Sequence, residues 1–268
     1  MTATGSTPAA PSTIDCAAEP IRIPGSIQPH GVLVVLDPAT HTIIQSSANA
    51  GAILSRRDGP LAKALVECGD EVASDLEQDL PFDDAVTLRT LSIAGRLWTV
   101  TAHRNDRALI VEFEDTEEDS RTLDVLYPRI RRGIAQMQSM RGVEDLAQTV
   151  AKEVRALTGF DRALVYRFDA DWNGTVIAED RNDALPSYLD LRFPASDIPA
   201  QARELYRLNR LRLIPDADYT PVPIEPADEL DLGFSVLRAV SPVHQEYRRN
   251  MGTRSSMSIS IVEDGQLW

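Results

Sequence analysis

Cysteine is nearly missing from this chain: Cys16 and Cys68 are the two thiols in 268 residues. The opening MTATGSTPAAPST lacks the basic region and apolar core of a secretion signal, so both thiols are expected reduced and a disulfide framework is excluded. No run approaches the ~18 apolar residues that span a bilayer, and the expected address is the cytoplasm, with no membrane partner. CxxC, HExxH, GxGxxG and GxxxxGK[ST] are all absent, which removes the signatures of common zinc, redox, dinucleotide and P-loop sites. No metal site is expected. Positive charge is also short: 27 Lys and Arg stand against 41 Asp and Glu, a net charge of −14. A nucleic-acid surface needs the opposite field. The basic clusters Arg129-Arg131-Arg132 and Arg248-Arg249 read as solvated helix faces.

What remains is the composition of a soluble globular protein, 43% hydrophobic and 25% charged, long enough for two domains with a core each. Residues 1–13 carry almost no large apolar side chain and read as a disordered leader. From Ile14 to His30, Pro20, Pro24, Gly25 and Pro29 break the chain into extended pieces that something else must hold. Gly31–Asp37 (GVLVVLD) reads as a buried strand and Thr42–Ser46 as its return; Ala48–Leu54 and Gly59–Glu67 are short helices, with Cys68 a structural thiol in the loop that follows. Ala85–Ile93, Arg96–His103 and Ala108–Glu114 are three further strands. The order β-β-α-α-β-β-β is that of a PAS domain.

After an acidic linker, Leu123, Leu126, Ile130, Ile134 and Met137 recur at helical spacing, and Leu146, Val150, Val154 and Leu157 form a second stripe ending at Gly159. Both stripes read as core faces; the remaining face of the first helix is available to a second subunit. Arg162–Asp169 and Gly174–Glu179 read as a strand pair, Leu211–Ile214 as a short strand, residues 215–232 as an irregular acidic loop, Ser241–Gly252 as a helix and Ser255–Val262 as a strand. The fold class expected is α+β: two domains, each a central antiparallel sheet flanked by helices.

One stretch carries the most chemistry. In LDLRFPASDIPAQARELY (189–206), an extended run delivers a helix N-terminus, with Asp197 at the N-cap and Pro199 in the first turn. Taken with DCAAEPIRIPGSIQPHG at the start and LRAVSPVHQEYRRNMGTRSSMSISI near the end, this stretch closely resembles the bacteriophytochromes, red-light photoreceptors that carry biliverdin. The three motifs stand in the family's order across most of the chain. The resemblance implies a lead-in and PAS domain over 14–117 and a GAF domain over 118–268, with the lead-in threaded through a GAF loop as a figure-of-eight knot. Ile27 would plug the loop, although it also reads as a plain core isoleucine. The family continues beyond Trp268 with another strand, so the sheet is expected to be cut short there.

The resemblance also implies a site. Cys16 would link covalently to ring A of biliverdin IXα through a thioether. Arg22 stands where the family usually has His. Arg238 would hold a propionate, with Arg212, Tyr206, Ser241, Ser256 and Ser258 assisting; each arginine also reads as a surface ion pair. His244 would lie beneath the inner pyrroles and Asp197 would offer them its backbone carbonyl, with Pro199 opening the helix beside it. Tyr166, Phe193, Ile198, Tyr247 and Met251 would wall ring D. Val243 stands where plant and cyanobacterial relatives place their linking cysteine.

The expected function is therefore red/far-red sensing by isomerisation before ring D, without catalysis by this chain. The implied partners are the linear tetrapyrrole, a second copy through the GAF helices, and downstream PHY and histidine-kinase domains. Lacking PHY, the chain is expected to form its far-red state poorly. Two rivals stay open: a PAS-GAF module for a cyclic nucleotide or another small ligand, and a thiol enzyme built on Cys16 and His244.

Overall fold

The computed structural model describes residues 19–78, 85–105, 107–116 and 123–268. Cys16 and the leader 1–13 lie outside them.

The first lobe contains β1 (Ser26–Ile27), β2 (Gly31–Leu36), β3 (Ile43–Ser47), α1 (Leu61–Ala64), α2 (Gly69–Leu76), β4 (Val86–Ile93), β5 (Arg96–Arg104) and β6 (Leu109–Thr116). Every residue of β2 is buried because both its faces are covered. Side chains alternate across a strand. Val32, Val34 and Leu36 therefore pack with α1, α2, β4 and β5, while Leu33 and Val35 join a second cluster on the opposite face. This accounts for the unbroken apolar run GVLVVL. Helical structure between β3 and β4 begins with a short 3-10 turn at Ala50–Ala52, and α2, not expected from the sequence, starts directly after Cys68, which adopts a left-handed conformation.

The second lobe contains α3 (Leu123–Ser139), α4 (Val143–Thr158), β7 (Arg162–Phe168), β8 (Gly174–Arg181), β9 (Arg192–Phe193), α5 (Ala200–Leu208), β10 (Leu211–Ile214), β11 (Val222–Glu225), α6 (Pro242–Asn250), β12 (Ser256–Ile259), β13 (Val262–Glu263) and β14 (Gln266–Leu267). Antiparallel β7, β8 and β9 form one sheet, β10 and β12 a separate pair. α4 covers β7 and β8 through Ala147 and Ala151, packed on Val165 and Ala178. The stripe expected from Leu146 is rotated by one residue: Leu146 is exposed, since small alanines let the helix approach the sheet closely. On α3, Ile130 and Ile134 are exposed as well.

The two lobes share one sheet. β11, from the second lobe, pairs antiparallel with β3 on one side and with β1 on the other, giving the strand order β1-β11-β3-β2-β6-β5-β4. Ile27 is fully buried and lies among Leu33, Val35 and Ile110 of the first lobe and Ile224, Leu230, Leu232 and Leu237 of the second. The lobes press close together at Gly31, where a Cβ would come within 2.5 Å of the Leu237 side chain.

Candidate functional site

Proline chemistry shapes the approach to α5. The residue before a proline avoids the α region, and Ile198 accordingly takes φ −127°, ψ 87°. The helix cannot begin until after Pro199, which is itself the N-cap, extended at ψ 157° with no side-chain cap. Asp197 thus ends a separate 3-10 turn, Ala195–Asp197, and is not the helix cap expected from the sequence. The turn is pinned by Arg203, whose Nη1 donates to the Ile198 carbonyl at 2.6 Å and whose guanidinium lies over the Trp172 ring.

The start of α6 matches its sequence signals. Ser241 caps the helix by accepting from the His244 N–H at 3.2 Å, with Pro242 in the first helical position. The same hydroxyl donates to Glu19 Oε2 at 2.5 Å, which ties the lead-in to the helix.

Between these segments lies a cavity of about 290 Å³. Of the fourteen described residues expected at the site, nine line it: Asp197, Ile198, Pro199, Tyr206, Arg212, Arg238, Ser241, His244 and Tyr247. Val243 lines it too. Tyr166, Phe193, Met251, Ser256 and Ser258 do not. The rings of Tyr166 and Phe193 pack 6.0 Å apart, and Tyr166 lies over Gly174, where a Cβ would fall 1.8 Å from the ring. Asp197 and Tyr247 stay close enough for Asp197 to raise the pKa of both Tyr166 and Tyr247, after burial. Ser258 and Ser256 sit opposite Arg212 and Ile214 in the β10/β12 pair. Met251 follows α6, partly exposed.

The electrostatics are lopsided. Arg212 is buried and spends its guanidinium on backbone carbonyls, Nη1 on Val236 at 2.9 Å and Nη2 on Arg238. Arg238 is equally buried, yet its Nη1 has no hydrogen-bond partner among the described residues. Burial, then the charge of Arg212, pushes the Arg238 pKa down to about 9. The imidazole of His244, exposed to the cavity and stacked 6.3 Å from Tyr247, is pushed down to about 4 by partial desolvation from the protein around it and then by Arg248 and Arg212. It is neutral at physiological pH and can donate from one nitrogen and accept at the other. A cavity with a buried guanidinium, a neutral imidazole and mostly apolar walls fits a largely apolar ligand bearing carboxylates.

Sequence reasoning missed Glu19, Ile21 and Asn209 as wall residues. Glu19 lay within the quoted EPIRIPG run and could have been found there; Asn209 is placed by bonds to the distant Phe234 and Ser235 carbonyls. Arg248 is a correction, buried at 4% exposure instead of solvated.

Family models match the two lobes separately, the PAS fold over residues 16–116 and the GAF domain over residues 142–268. The chain is 44% identical over 269 residues to cyanobacterial phytochrome B of Nostoc sp. and 43% identical over 265 residues to the bacteriophytochrome of Pseudomonas aeruginosa. It superposes on the chromophore-binding domain of Stigmatella aurantiaca phytochrome P1 with a TM-score of 0.84 at 43% identity, covering 95% of this chain and 88% of that one. The chain belongs to the bacteriophytochrome family. It spans 36% of the length of each of the two curated relatives and carries a PAS fold followed by a GAF domain. No described helix is long and apolar enough to cross a membrane.

Proposed function

We propose that this bacteriophytochrome module holds biliverdin in the cavity between α5 and α6, tethered through Cys16, and reports red and far-red light to PHY and kinase domains elsewhere in its parent protein. The observation that carries this reading is a cavity whose wall joins the buried Arg238, with an Nη1 that lacks a hydrogen-bond partner among the described residues, to His244 and the Asp197-Ile198-Pro199 turn. When bound, the pigment supplies light absorption and isomerisation of the double bond before ring D.

The residues of the chain bind and hold. Arg238 donates to a propionate, and Arg212 fixes the backbone that carries Arg238. The Tyr206 and Ser241 hydroxyls add donors, and Ser256 and Ser258 complete the set from β12. Neutral His244 and the Asp197 carbonyl serve the inner pyrroles, while Tyr166, Phe193, Ile198, Tyr247 and Met251 limit the turning of ring D. Glu19 lines the cavity, and three residues of chain span at most about 11 Å, so a thiol at position 16 is within reach. We assign 14–117 to the lead-in and PAS domain and 118–268 to the GAF domain. The packing of Ile27 supports a lead-in threaded through the 215–232 loop, and the exposed face of α3 is the proposed homodimer surface.

Mixing the apoprotein with biliverdin tests the reading. A red-absorbing band should appear and survive denaturation, and Cys16→Ser should lose the denaturation-resistant fraction. A parent protein that stays colourless would sink it.

A further inference from the structure

Arg248 is the least explained charge in the molecule. It lies on α6 one turn after His244, 4% exposed, and its Nε, Nη1 and Nη2 all lack hydrogen-bond partners among the described residues. A guanidinium cannot escape the cost of burial by losing its proton at neutral pH. Three nitrogens left bare in the interior are therefore a standing penalty on the folded protein.

What surrounds it indicates what the penalty serves. Arg248 acts electrostatically on two residues of the cavity wall, His244 and Arg212, and the phenols of Tyr206 and Tyr219 and the carboxylate of Asp216 act on it in turn. Among the described residues no ion pair joins Arg212, Arg238 or Arg248 to a carboxylate: Asp231, near Arg238, is held by Arg22 at 2.7 Å, and Glu112, near Arg212, is taken by Ser235, Val236 and Leu237. Arg212 and Arg238 in the cavity wall, and Arg248 one turn of α6 beyond His244, thus lack an ion-paired carboxylate among the described residues, Asp216 acting on Arg248 only from beyond ion-pair distance.

We propose that Arg248, buried on α6 one turn beyond His244, is a third cation of the ligand site, so that a carboxylate of the bound tetrapyrrole is held by its charge. This rests on the tetrapyrrole reading and adds to it a residue outside the cavity lining. The chain accepts an uncompensated charge when empty and recovers the cost when the carboxylate arrives, so stability and binding move in opposite directions. A guanidinium with a purely structural role would move both the same way.

Equilibrium binding of biliverdin and of its dimethyl ester to the Cys16→Ser chain, which keeps uptake reversible, separates the two roles. Arg248→Leu should raise the melting temperature of the apoprotein and weaken biliverdin binding by on the order of tenfold, the effect of one nearby charge acting through the protein interior. The ester, with no carboxylate, should bind parent and variant within about twofold, and Arg248→Lys should keep most of the biliverdin affinity. Equal losses for acid and ester, unchanged affinity for both, or a lower apoprotein melting temperature with Arg248→Leu would each overturn the role of Arg248. Failure of the Cys16→Ser chain to take up either pigment would instead overturn the tetrapyrrole reading beneath it.

Discussion

His103 is a buried residue whose energetics follow from its surroundings alone. It is 1% exposed, neither ring nitrogen has a hydrogen-bond partner among the described residues, and burial pushes its pKa from 6.5 down to about 4. Its approach to Glu112, Nδ1 to Oε2 at 3.8 Å, is then a contact of a neutral ring and not an ion pair at physiological pH; Asp231 pulls weakly the other way. Between pH 6.5 and 4 the unfolded chain binds a proton that the folded chain refuses, so stability is fully present above about pH 6.5 and falls as pH drops toward 4. Glu112 runs oppositely, because burial raises its pKa. His103→Leu should therefore reduce the loss of stability between pH 7.5 and pH 5 by about 2 kcal/mol, measured by guanidinium melts at both pH values; an undiminished loss would refute it. Such a residue is only partly legible in a sequence. The first-turn Pro242 and its cap could be read because capping is local chemistry, whereas His244 was singled out by the resemblance of SPVHQEY to the family. Arg248 could not, since apolar periodicity points arginine outward by default and its burial is a tertiary property that no local signal carries.

At the level of elements, β2 and β6 were legible because short apolar runs rich in β-branched residues need no tertiary knowledge. β11 was not: Val222–Glu225 is a four-residue strand inside an acidic loop, and only its partners β1 and β3 make it one. α5 was misjudged at its start because the restriction that Pro199 places on Ile198 outweighed the capping preference of Asp197. α3 raises a different question, since its apolar spacing suggested core, yet Tyr127, Ile130 and Ile134 are exposed. A helix with an apolar stripe open to water normally covers it with a partner. Antiparallel or parallel pairing of two copies along α3 would do so, and Ile134→Glu should shift the protein from dimer to monomer in sedimentation velocity without changing its far-UV circular dichroism. A parent already monomeric at tens of micromolar, on the order of the concentrations such weak interfaces need, would remove the case.

Across the whole molecule, the two lobes cannot be treated as separate folding units. The cluster around Ile27 draws side chains from both, β11 extends the sheet of the first lobe, and Glu112 on β6 accepts from Ser235 Oγ and from the Val236 and Leu237 N–H groups at 3.1 and 2.8 Å. Alternation along β6 places Glu112 on the same face as Ile110 and opposite Val111 and Phe113, so the strand offers its carboxylate to the segment that leads into Arg238. Loss of the first lobe would strip that segment of its anchors and loosen the cationic side of the cavity. The lobes should therefore unfold together. Trp98 reports the first lobe, buried in β5, and Trp172 the second, packed on Phe168 at the β7–β8 turn. With each kept as the single tryptophan, their urea transitions should coincide. Ile27→Ala should remove about 2–5 kcal/mol and move both transitions to lower urea by the same amount. If only one tryptophan responds, or the parent transitions already differ, the lobes are mechanically independent and a change at the cavity would have no rigid path to the first lobe.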